Sequence, residues 1–138
     1  MENNDLVIQQ DDQRGRLCSG FFACRGNQKT LQLWQDVLQV METQEEVSDQ
    51  GALNYCLIKC NNPYGVAWKF LPVTYFGGGT LTTKHWHPHD SLPIPVGIKM
   101  HHANWTCGPE NKIKQLEYVA RVVRARLHYW FGKRTLGN

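Results

Sequence analysis

At 138 residues and 15.9 kDa, the chain is large enough for one domain with a real core, and 41% hydrophobic against 20% charged residues excludes a disordered chain. The net charge of +3 is too small to mark a nucleic-acid binder. No apolar run reaches membrane-spanning length, and the first twenty residues lack a signal-peptide pattern, so nothing addresses the chain to a compartment.

In chain order, Asp5 to Gln10 reads as a short apolar strand running into Asp11-Asp12. Neighbours on a strand point to opposite faces, so these two carboxylates do not chelate one ion, and a turn or solvated loop is expected there. Arg14-Gly15-Arg16 turns the chain into Leu17 to Arg25, a predicted buried strand with Gly20 where close backbone approach is useful and Phe21 and Phe22 as core. Asn27 to Glu42 carries Leu31, Trp34, Leu38 and Met41 three and four apart. That predicts an amphipathic helix capped from Asn27 or Thr30, packing these residues on the sheet. After a polar linker, Ser48 or Asp49 caps a second helix, Gln50 to Lys59, with Leu53 and Leu57 facing inward. Cys56 and Cys60 share one face of it. With five cysteines a fully paired framework within one chain is impossible, and reduced, buried thiols fit better than a zinc site.

Asn61 to Gly65 is a turn and Val66 to Leu71 a strand. Pro72 to Gly79 then leaves the sheet, its glycine run reading as a loop over a ligand or as a flexible connection. His85, His87 and His89 alternate in the manner of a zinc or nickel site, but Pro88 interrupts the alternation, which favours a surface loop. Gly97 to Met100 alternates as an extended segment. His101 to Lys112 follows as the end of a strand, a polar turn and a helix start, with Pro109 in the first turn and Glu110 on the side the helix dipole favours. Imidazole, backbone N–H groups and a lysine ammonium thus converge, a combination suited to a metal-bound polyphosphate. The helix runs to about Phe131, with Ile113, Leu116, Val119, Val123 and Leu127 on an apolar face widened by Tyr118, Val122, Tyr129 and Trp130. That face packs heavily or meets a partner, and residues 132–138 read as a frayed tail. The late basic residues Arg121, Arg124, Arg126, Lys133 and Arg134 read first as a solvated face, with an acidic partner or membrane headgroups second.

His102-Ala103-Asn104-Trp105 with Gly108 and Lys112 resembles the closing motif of the nucleotide-diphospho-sugar transferases, GT-A type glycosyltransferases related to plant cell-wall xylosyltransferases. Gly15 to Phe22, Asp49-Gln50-Gly51-Ala52-Leu53-Asn54, and Leu71-Pro72 to Phe76-Gly77-Gly78 agree in order and rough spacing. The resemblance implies an α/β fold: a partial GT-A, Rossmann-like arrangement with a mixed sheet packed with helices, residues 1–138 forming a single domain. No Asp-x-Asp occurs in the chain. The expectation is therefore the C-terminal portion of that fold, as part of a longer protein or as a short relative without the nucleotide-binding half.

By the same resemblance, Asp49 binds sugar hydroxyls and Gln50 lies near the anomeric carbon. Gly20 and Asn54 line the donor side, Gly108 and Lys112 bind the diphosphate, and His102 is one ligand of Mn²⁺ or Mg²⁺. The implied activity is metal-dependent sugar transfer, with retention, from a nucleotide-diphosphate donor (a UDP-sugar) to a glycan or protein acceptor. No nucleic-acid partner is implied, and family members are often Golgi or secretory. Two alternatives stand beside this: a non-catalytic binding or accessory module that keeps part of the fold, and a metal-binding protein using His85, His87 and His89.

Overall fold

The computed structural model describes residues 3–82 and 84–135, the last five for their backbone alone. The architecture is mixed α/β, in two compact units, residues 1–72 and 73–138.

In the first unit, β1 (Leu6–Gln10) pairs antiparallel with β2 (Leu17–Cys24) and parallel with β3 (Trp68–Phe70), giving a mixed sheet of order β2-β1-β3. The register shifts between Ile8 and Gln9, a bulge that re-aims the end of β1. Helix α1 (Gln28–Thr43) starts at Asn27, whose side chain accepts from the Thr30 N–H while the Thr30 hydroxyl accepts from the Asn27 N–H. Helix α2 (Asp49–Asn54) is capped by Ser48, whose hydroxyl oxygen accepts from the Gly51 N–H at 3.1 Å. A π-helical turn continues it from Tyr55 to Lys59. Leu6, Ile8, Leu17, Leu33, Val37 and Leu53 form the centre of the core.

α1 packs mainly through a different face from the one its sequence advertises, of which only Trp34 lies against the core. Thr30, Leu33 and Val37 are buried, whereas Leu31, Leu38 and Met41 are 52%, 58% and 39% exposed. Both stripes have three-and-four spacing, so periodicity alone does not choose between them. β2 departs likewise from the expected buried strand. Leu17 and Cys18 are buried, but Gly20 to Cys24 are exposed, because β2 is an edge strand covered only at its start. Phe21 and Phe22 are therefore not core, and Phe22 stacks on Trp34 with ring centroids 4.9 Å apart. Asp11 and Asp12 form a turn, as expected, but a buried one: Asp12 Oδ1 accepts from the N–H groups of Arg14 and Arg16.

In the second unit, β4 (Tyr75–Gly77) and β5 (Met100–His102) pair in parallel. The chain thus leaves the first sheet after Leu71, as expected, and Tyr75–Gly77 forms a strand of a separate two-stranded sheet. The glycines after it are no loose loop, since α3 (Gly78–Leu81) begins there with Gly78 and Gly79 buried. A Cβ on Gly77 would stand 2.6 Å from Asn104 Oδ1, and one on Gly78 2.7 Å from the Asn104 carbonyl oxygen. Close backbone approach, not mobility, fixes these glycines. Phe76, Trp86, Leu92, Ile94 and Val119 make this unit's core. Helix α4 (Pro109–Thr135) continues past the Phe131 end expected for it, and residues 136–138 of the expected tail lie outside the described residues.

Candidate functional site

The first unit brings the start of α2 against the start of β2. Leu17 is fully buried, and its N–H and C=O point away from β1, as expected for a pair of residues between ladder bonds. Asn54 meets both: its Oδ1 accepts from the Leu17 N–H and its Nδ2 donates to the Leu17 carbonyl, each at 2.9 Å. The carboxamide thus acts as a one-residue strand on the β2 edge. Nδ2 also donates to the Gln50 carbonyl at 2.8 Å, tying Asn54 to the first turn of its own helix. Asp49 is exposed and Gln50 half-buried at that helix start, and Gly20 lies exposed three residues beyond Leu17.

Between them sits the buried Cys18 thiol. Burial raises its pKa, and the carboxylates of Asp11 and Asp49 raise it further, against the backbone N–H groups of Gly20 and Phe21. From sequence Asp11 reads, with Asp12, only as a turn or solvated loop after β1.

In the second unit, β5 carries His101 and His102 opposite Phe76 and Gly77 of β4. The strand is Met100–His102 rather than Gly97–Met100, so both imidazoles belong to it. His101 takes the inward side: its ring lies 4.5 Å from that of Phe76, and Nε2 is 2.9 Å from Oε1 of the fully buried Gln115. Burial lowers the His101 pKa, partly offset by Gln115 and the Phe76 backbone. His102 is half-buried at the strand end. Gln115 was missed from sequence, where its only mark is a helical spacing with the buried Val119.

Beyond β5 the chain makes a tight polar turn. The Asn104 N–H donates to the His102 carbonyl at 2.8 Å, and Asn104 Oδ1 accepts from the Gly79 N–H at 3.1 Å. Trp105 has φ +52°, a left-handed backbone, and its carbonyl accepts from the Trp86 N–H. Gly108 has φ +75° with open space around it, so the backbone angle demands glycine there. Its carbonyl accepts from the Lys112 N–H, which opens α4 with Pro109 and Glu110 in the first turn. Lys112 is exposed one turn into the helix. The expected strand end, polar turn and helix start are therefore all present, with His102, Gly108 and Lys112 strung along them.

His85, His87 and His89 are exposed on a loop anchored by the buried Trp86, whose Nε1 donates to the Asp90 carbonyl, and by a 3.0 Å Lys84–Asp90 ion pair. Among the described residues no three His, Cys, Asp or Glu side chains gather as a metal-holding group, on this loop or around His102. No helix among them is long and apolar enough to cross a membrane. Asp49, Gln50, Gly20 and Asn54 thus belong to one unit, and His102, Gly108 and Lys112 to the other.

No curated protein and no solved structure matches the chain significantly. The family model described as nucleotide-diphospho-sugar transferase matches residues 1–116, which span both sets of residues. On that match the chain belongs to the nucleotide-diphospho-sugar transferase family.

Proposed function

We propose that the chain takes a nucleotide-diphospho-sugar as donor, a UDP-sugar in the simplest case, and serves sugar transfer to a glycan or protein acceptor with retention. The observation that carries this is the family match over residues 1–116, because every residue given a role lies within it. In such a transfer the bond between the anomeric carbon and the diphosphate breaks, and negative charge builds on the leaving oxygen. Lys112 and the backbone around Gly108 supply positive charge and donors for that diphosphate. Asp49 accepts from sugar hydroxyls, and the Gln50 amide lies beside the anomeric carbon. Gly20 leaves the sugar room on β2, while Asn54 holds β2 and α2 together and so acts as a positioning residue.

The family's resident cation, Mn²⁺ or Mg²⁺, finds one proposed ligand here, His102. A single imidazole does not hold a hard divalent ion, and no three-ligand group exists among the described residues. The donor set does not fit a complete site, and no step is routed through the ion.

The test is thermal denaturation of the full chain with UDP, with and without Mn²⁺. Binding at a hundredfold excess over Kd adds about 2.7 kcal/mol of stability. The expected result is a UDP-dependent rise in Tm that Lys112→Ala removes. No response to UDP, GDP or their sugars in a folded protein defeats the donor reading. Binding of UDP-sugars without hydrolysis or transfer to any acceptor leaves the accessory-module alternative.

A further inference from the structure

Helix α4 uses only part of its circumference in its own unit. Gln115 and Val119 are buried, and Tyr118, Val122 and Val123 partly so. Beside that face, and sharing Val123 with it, runs a second apolar stripe: Ile113, Leu116, Ala120, Val123, Leu127 and Trp130. Leu116, Leu127 and Trp130 in it are 46%, 51% and 64% exposed. Its spacing alternates between three and four residues, an average of about 3.4 over five steps and close to the heptad value of 3.5. That is the period at which one helix keeps a continuous seam against another helix.

The stripe forms one wall of a groove. Toward the start of α4 the groove has a volume of about 360 Å³ between Leu116, Ala120, Val123 and the segment Ile98 to Met100. Farther along it has about 330 Å³ between Val123, Leu127, Trp130 and the segment Pro95 to Ile98. Ile98 and Val123 line both parts, so the groove is continuous from Leu116 to Trp130, roughly 21 Å of helix at the ordinary α-helical rise. The floor is apolar and the rim cationic. Lys99 and Arg124 border the first part and Arg126 the second, the Arg126 guanidinium donating to the carbonyls of Ile94 and Pro95 at 2.9 and 3.2 Å.

We propose that this groove docks an amphipathic helix of a partner protein, with apolar anchors three and four residues apart and Asp or Glu on both margins. The seam period calls for a helix, and the cationic rim calls for an acidic one. A second copy of this chain would bring Arg124 and Arg126 against a rim of the same sign. A lipid surface is flat and selects a wider stripe of period 3.6.

Two labelled three-heptad peptides test this on the full chain, both with Leu at the seam positions, one flanked by Glu and one by Lys. Fluorescence anisotropy is expected to show one-to-one binding of the Glu peptide, at least about tenfold tighter than the Lys peptide and weakening with added salt. Leu116→Glu and Leu127→Glu abolish that binding while circular dichroism stays unchanged. Should either fail to fold, Arg124→Glu at an exposed position reverses the preference between the peptides. Equal binding of both peptides, binding indifferent to Leu116→Glu in a folded chain, or no reversal with Arg124→Glu overturns the proposal. So does a sedimentation dimer that forms without binding the Glu peptide, or capture by phosphatidylserine vesicles when the Glu peptide is ignored.

Discussion

Asn54→Ala is the most informative single change in the first unit. The substitution removes three side-chain hydrogen bonds and leaves the N–H and C=O of the fully buried Leu17 without their partner. A buried polar group left unsatisfied costs about 1–3 kcal/mol, so two of them give about 3 kcal/mol, allowing for partial entry of water. For a compact unit of this size that corresponds to a fall in Tm of roughly 12–24 °C. Urea denaturation followed by circular dichroism reads it as a lower midpoint at unchanged slope. Asn54→Asp separates the two bonds: the acceptor for the Leu17 N–H survives, while the donor to the Leu17 carbonyl is replaced by a like-signed oxygen. Its loss is expected to be no smaller than that of Asn54→Ala. A cost below about 1 kcal/mol for Asn54→Ala refutes the role assigned to the carboxamide on the strand edge.

Gly78→Ala places a Cβ 2.7 Å from the Asn104 carbonyl oxygen, which is backbone and held by the turn after His102. A loss of about 2 kcal/mol is expected, whereas Gly26→Ala, with open space around the added carbon, is close to neutral by the same chemical denaturation. The Asp5 carboxylate accepts from the Ala67 N–H at 2.9 Å and the Asn27 side-chain amide at 2.7 Å, and these bonds, the Ala67 one foremost, lower its pKa from 3.8. Asp5 therefore contributes stability that is present above the unfolded pKa and is lost as pH falls through the lower folded value. Asp5→Asn is expected to be less stable than wild type near neutral pH and to lose less on acidification to about pH 3; parallel slopes for the two proteins refute this.

The residues of the candidate site were readable as positions, and their bonding was not. Gly108-Pro109 opens α4, Ser48 opens α2, and both follow from local chemistry that sequence carries within a turn. Asn54 reads in sequence as one more polar residue on a helix, because its partner Leu17 lies 37 residues away. Gln115 and Asp11 are buried polar groups for the same reason, their surroundings coming from distant strands and turns.

The sequence by itself determined the first strand, the starts of α1 and α2 to within a few residues, and the strand–turn–helix carrying His102, Gly108 and Lys112. Each depends on residues a few positions apart. Tertiary structure alone decided which face of α1 is covered, that Phe21 and Phe22 stay exposed, and that the glycines after β4 are packed tightly. It also decided that α4 keeps a second, open apolar stripe. Residues 30, 33 and 37 and residues 31, 34 and 38 make equally good helical stripes. Burial is a property of what else occupies the space, and no local pattern contains that.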